Sequence, residues 1–136
     1  MKTNTRIEVE TDLELIKRHA LLPILLDMLI RDEEKLKSLS ASTIFGHISY
    51  DLKLVEQLIH DETRRIRIQL KDRGIQILST ETSKLGIDIS YKLNEYTHQY
   101  VLLRSLVKAE VFVLFGDFWT QIGIERLGGN RLAQKA

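Results

Sequence analysis

Apolar residues recur at intervals of three and four along residues 94–119, NEYTHQYVLLRSLVKAEVFVLFGDFW. Tyr96, Tyr100, Leu103, Val107, Val111, Leu114 and Phe118 fall on one face of a helix. Arg104 and Lys108 mark the opposite face. The division fails after Glu110, where Val111 to Phe115 run unbroken and Phe118 and Trp119 follow. The pattern predicts one long third helix, apolar nearly all round and needing cover all round. The rest of the chain, and a second copy of it, is expected to pack there.

The remaining patterns predict two more helices and a hairpin. Residues 1–10 are polar, with a short alternation at 6–9 (RIEV) that suits an edge strand. Thr11 with Glu14 forms a capping box for a helix carrying Leu13, Ile16 and Ala20 on one face. Pro23 lacks a donor and clashes with the preceding turn, so a kink or a short break is expected near Leu22. Residues 21–29 are expected in the core. Glu33 is placed to pair with Lys37 in the charged run that follows, and 38–42 (SLSAS) is a loop. The second helix runs from Thr43 to Arg73, roughly 45 Å at 1.5 Å per residue, with Gly74 as its stop. Its seam is Phe45, Ile48, Leu52, Val55, Ile59, Ile66 and Leu70, interrupted by Glu62, where the helix is expected to have left the core. Ile75 and Ile77 share one face of a short strand. Ile87, Ile89, Tyr91 and Leu93 alternate with Asp88, Ser90 and Lys92 in a cleaner one. Together they predict a two-stranded antiparallel hairpin at about 75–93.

The expected fold is therefore α+β and mainly helical. It has three long helices, the first kinked at Pro23, and one two-stranded hairpin between helices 2 and 3. Residues 1–122 form a single domain, and 123–136, with a double glycine, form a flexible tail. The composition agrees: 136 residues suit one domain, with 43% hydrophobic and 29% charged residues and a single proline. A net charge of +1 supplies no global attraction toward nucleic acid or anionic membrane. The absence of cysteine excludes disulfides and thiolate chemistry and suits a cytoplasmic protein. The N-terminus has no apolar run of the secretory kind. The greasiest window contains Arg104, Lys108, Glu110 and Asp117, too many charges for a membrane span.

Candidate chemistry is sparse. Arg64, Arg65, Arg67, Lys71 and Arg73 cluster on the second helix, with Arg64, Arg67 and Lys71 on one face. With Lys84 at the hairpin tip, the outline is similar to the recognition helix and wing of a winged-helix DNA-binding domain, and such cations could neutralise phosphates. Asp61, Glu62 and Asp72 are interspersed, and Asp61 lies four residues before Arg65, so a solvated, ion-paired face is the competing reading. His47 with Asp51, and Glu56 with His60, are spaced as ligand pairs, but no third ligand is fixed by spacing. His19 and His98 stand alone. Ser79, Ser83, Ser90 and Ser105 lack a nucleophile-elbow context, no glycine-rich phosphate loop is present, and no spacing sets two carboxylates on one dry face. No cofactor, metal site or catalytic residue is expected, and the chain is read as non-enzymatic.

Phe112, Phe115 and Trp119 form a second stripe on the third helix, apart from Val111, Leu114 and Phe118. The aromatic run reads either as the ordinary core of a small domain or as an interface, since two stripes on one helix need two partners. The expected role is an interaction or assembly module, a homodimer through Phe112, Phe115 and Trp119. The alternative is a DNA-associated regulator using Arg64, Arg67, Lys71, Arg73 and Lys84. The segments Leu22-Pro23-Ile24-Leu25-Leu26-Asp27, Arg31-Asp32 and Asp72-Arg73-Gly74-Ile75 resemble those of short uncharacterised proteins of Bacillus and related Firmicutes. That resemblance implies a bacterial cytoplasmic protein and brings no activity or site residue.

Overall fold

In the computed structural model the backbone is described for residues 2–39, 41 and 43–135, and side chains for 10–125 apart from 40 and 42. Two antiparallel helices come first, α1 (Lys2–Lys37) and α2 (Thr43–Asp72). Strands β1 (Ile75–Thr82), β2 (Gly86–Leu93) and β3 (Tyr96–Leu103) follow, and α3 (Arg104–Lys135) closes the chain. Each helix touches both others, and the sheet meets α2 through β1 and α3 through β2 and β3.

The α2 seam forms from Leu52 onward, whereas Phe45 at its start is exposed and Ile48 is half-buried. Leu52, Val55, Ile59, Ile66 and Leu70 are buried, and face Ile16, Leu21, Leu22, Leu25 and Leu29 of α1 within one core. Val111, Leu114, Phe118 and Ile122 bring one face of α3 into that core. Each buried Leu or Ile contributes about 1.5–3 kcal/mol relative to exposure. Gly74 ends α2 with φ of 73°, its amide bonding to the Lys71 carbonyl at 3.0 Å.

Glu62 corrects one expectation. The helix has not left the core there: the carboxylate is only 13% exposed and takes Arg18 of α1 and Arg65, both at 3.2 Å. The seam resumes beyond it at Ile66. No break occurs at Pro23, because α1 is continuous through it. Proline removes the bond to the His19 carbonyl, but its ring lies on the exposed side while Leu21, Leu22 and Leu25 stay buried. That packing offsets the roughly 3 kcal/mol penalty. The helix also begins well before Thr11, so the alternation at 6–9 and the capping box lie inside α1 rather than forming a strand and a start signal.

The largest correction is the sheet. It has three antiparallel strands in the order β1-β2-β3, not two. Residues 96–103, read as the first turns of the third helix, form β3 instead. Asn94 and Glu95 both adopt positive φ, 51° and 72°, and Leu93 pairs with Tyr96 across them. This two-residue turn matches the twist of the strands it joins. Tyr96, Tyr100 and Leu103 fit a helical period, but Tyr96, His98, Tyr100 and Leu102 fit a strand equally well. Pairing with β2 decides between them, setting Leu102 against Ile87 and Tyr100 against Ile89. Between Ile77 and Ser79 the β1–β2 register shifts, leaving Leu78 in a bulge. Beyond Gly123, where the sequence suggests a flexible tail, α3 continues to Lys135.

Gly86 sits where backbone meets backbone. Its φ is +147°, and a Cβ there would lie 2.0 Å from the Leu102 carbonyl oxygen and 2.9 Å from the Arg104 amide nitrogen. Arg104 in turn donates its amide to the Leu85 carbonyl at 2.9 Å. The β1–β2 turn is thereby locked to the point where β3 becomes α3. Gly86→Ala is expected to lower stability by about 2–4 kcal/mol, through backbone strain and loss of strand pairing. Gly74→Ala meets no neighbour, only unfavourable φ, and should cost about 1–2 kcal/mol. Urea-unfolding midpoints of the two variants check the order.

Candidate functional site

The outer face of α3 carries a group of exposed apolar residues. Val111, Leu114 and Phe118 turn inward, and the period then carries Leu106, Phe112, Val113, Trp119 and Ile124 outward. Phe112 is 54% exposed, Val113 58% and Trp119 38%. Phe115 is half-buried and packs on the core. Its ring stacks on Trp119, with centroids 5.8 Å apart and planes inclined by 26°. Phe112 and Phe115 also border an apolar cleft of about 110 Å³ with Leu25, Met28, Leu29, Asp32, Leu52 and Val111. So the three residues read as an interface stay together, two as surface and one as a link to the core.

Down the middle of this face run Ala109, Gly116 and Gly123, seven residues apart. A Cβ on either glycine would meet nothing within 4 Å. Among the described residues nothing requires glycine there, although each weakens the helix by about 1 kcal/mol relative to alanine.

The basic cluster of α2 is divided. Arg64 pairs with Asp61, Arg65 with Glu62 at 3.2 Å, and Arg73 with the buried Asp12 of α1 at 3.0 Å. Arg67 and Lys71 have no ion pair among the described residues. They line a shallow cleft of about 490 Å³ with His19, Leu70, Gly74, Ile75, Gln76 and Ile77. Burial holds the His19 imidazole below its ordinary pKa, and the Arg67 guanidinium lowers it further. Lys84 lies in the turn beyond β1, about 25 Å along the strand from Gly74 at some 3.3 Å per residue, so it does not join this cleft.

The histidines do not converge. His98 stacks on Tyr91 at 5.3 Å, and His47 and His60 are exposed. Among the described residues no three His, Asp or Glu side chains are grouped to hold a metal ion. Nor is any helix among those residues long and apolar enough to cross a membrane. One carboxylate pair escaped sequence reasoning. Glu33 of α1 and Glu56 of α2 meet across the helix interface beside Lys53, whose ammonium lies 3.9 Å from Glu33 and 3.7 Å from Glu56. Spacing along one helix cannot show a pair made by two. In the charged run, Lys37 bonds Glu34 at 3.0 Å while Glu33 turns inward.

A three-helix core capped by a three-stranded meander, with one helix left greasy on its outer side, defines a mainly helical α+β protein with exposed apolar residues on α3. The chain belongs to the YhjD protein family, whose model matches residues 7–123. No curated protein and no solved structure matches it.

The Glu33 pair has a consequence for stability. Burial raises the Glu33 carboxyl above its ordinary value of 4.5, the Glu56 charge raises it further, and Lys53 partly offsets both. Between the unfolded and folded pKa values the folded chain therefore binds more protons at Glu33 than the unfolded chain. This contribution is fully present below the unfolded value and is lost as pH rises through the folded one. Glu33→Gln removes the titration. The variant is expected to unfold at higher urea than the parent at neutral pH, with the difference shrinking toward about pH 4. Paired urea curves across that range check the sign.

Proposed function

We propose that this chain is a small non-enzymatic assembly module of the bacterial cytoplasm, and that it pairs with a second copy of itself through the outer face of α3. The observation that carries the reading is the exposure of Phe112, Val113 and Trp119 around Gly116. Together with Leu106 and Ile124 these side chains offer on the order of 400 Å² of apolar surface, within the range of the largest patches on a typical monomer, which are often functional.

The shape of the face argues for an identical partner. Ala109, Gly116 and Gly123 leave a channel, with Phe112 and Trp119 along one bank and Leu106, Val113 and Ile124 along the other. A second α3 supplies both a ridge for the channel and a channel for the ridge, the self-complementarity that a twofold interface requires. It would also give the glycines a purpose that their own chain lacks. Contact extending to Leu103 of β3 would bring the buried area toward the standard of roughly 800 Å² per partner.

Sedimentation velocity is expected to show a dimer at micromolar concentration. Val113→Glu and Gly116→Leu should each give a folded monomer. The leucine stabilises the isolated helix, by up to about 1 kcal/mol, while filling the channel. A parent chain that sediments as a monomer at those concentrations, or variants that remain dimeric, would remove this reading.

A further inference from the structure

We propose that His19, Arg67 and Lys71 form an oxyanion site that takes the phosphate of a small phosphomonoester with an apolar body.

The pairing pattern on α2 is selective. Asp61 takes Arg64, Glu62 takes both Arg65 and Arg18, and Asp12 takes Arg73. Carboxylates thus engage the cations on either side of Arg67 and Lys71. These two, four residues apart on one helix, have no ion pair among the described residues, and both are exposed. Like charges at that spacing repel. They also face one cleft, whose walls come from α1, α2 and β1. A solvated helix face does not need its two unpaired cations to converge on a concavity.

His19 completes the donor set. Its Nδ1 is buried without a hydrogen-bond partner, and the residue lines the cleft beside Arg67 and Lys71. In its Nε2–H tautomer the neutral imidazole can donate to an anion in the cleft. An anion beside Arg67 would relieve the repulsion that now opposes protonation of the ring. Two cationic donors and one imidazole donor suit a tetrahedral dianion, with three or more acceptor oxygens, better than a carboxylate with two. Leu70, Ile75 and Ile77 give the cleft an apolar lining, which is where an organic substituent would lie. The cleft does not suit a polyanion. A strand of nucleic acid leaving it along α2 would meet Asp61, Glu62 and Asp72 among cations already neutralised.

The test is titration of the full chain, labelled for amide and imidazole resonances, with inorganic phosphate and then with phenyl phosphate at constant ionic strength. Saturable shifts are expected at 67–77 and at the His19 ring. Phenyl phosphate should bind about tenfold more tightly, because its ring covers apolar surface. Arg67→Gln and Lys71→Gln should each weaken binding by about tenfold. Arg64→Gln, which alters an exposed pair on the same helix, should change it by less than about twofold. Both cleft cations are exposed, so the variants keep the fold, and unchanged amide spectra elsewhere confirm that. The proposal is overturned by the absence of saturable shifts, or by equal losses in Arg64→Gln. Equal affinity for the two phosphates would refute the apolar body. A short duplex that binds more tightly than phenyl phosphate, and depends on Arg64 and Lys84, would replace the site with a nucleic-acid surface.

Discussion

The seam between α1 and α2 is the constraint on which the other elements depend. Of the nine largest side chains with almost no exposure, six lie on these two helices: Ile16, Leu21, Leu22, Val55, Ile59 and Ile66. Removing one such side chain costs about 2–5 kcal/mol, because the cavity only partly collapses. That loss compares with the whole net stability of a domain, about 5–15 kcal/mol. Charged contacts reinforce the register of the pair. Arg18 reaches Glu62, Arg73 reaches Asp12, and Lys53 reaches Glu33. The first two place charge beside apolar residues where a slip by one turn would leave Glu62 or Asp12 buried without a partner, which is far costlier than losing a surface pair.

Once α1 and α2 cover each other, a third helix needs only one face to complete the core. The outward residues of α1 and α2 include Glu34, Lys35, Lys53, Asp61, Arg64 and Arg65, which water satisfies. The outward residues of α3 include Lys108, Asp117 and Gln121, but also Phe112, Val113 and Ile124, which water does not favour. The sheet governs where α3 lies. β2 is its central strand, and Ile87, Ile89 and Tyr91 are buried beneath the helices. The close approach at Gly86 then fixes the point where β3 turns into α3. By the same arrangement β1 lies alongside the last turns of α2, turning two exposed cations and a histidine of α1 into the walls of one cleft.

What could be read from the sequence was local and periodic. The α2 seam, its glycine stop and the alternation of β2 each depend on residues close together in the chain. What could not be read depended on a partner. The period of residues 96–103 suits either structure, and only the turn at Asn94 and Glu95 with the neighbouring β2 makes it a strand. Glycine is the usual second residue of such a turn, and glutamate gives no signal. Pro23 stops a helix whose neighbours contribute nothing, but not one anchored by Leu21, Leu22 and Leu25. Glu62 reads as solvent-facing until Arg18 arrives from another helix. The stripe of Phe112, Phe115 and Trp119 was legible because it is a second period on the same helix. The cleft at His19 was not, because its residues come from three elements and His19 stands 48 positions from Arg67.

The division of α3 into two faces is incomplete at one place, and that place joins core to surface. Phe115 packs against buried residues and stacks on Trp119, which is partly in water. Its neighbour Phe112 is exposed, yet both rings border the cleft that reaches Leu25, Leu29 and Leu52 on the other helices. A side chain pressed against Phe112 from outside would therefore act on a space shared by all three helices. Close-packed interiors transmit small displacements because they contain little free volume, so the open space of about 110 Å³ beside the surface aromatics leaves contacts there unmade. A side chain that entered this cleft from outside would make those contacts with α1, α2 and α3 together, and would thereby favour the packed core.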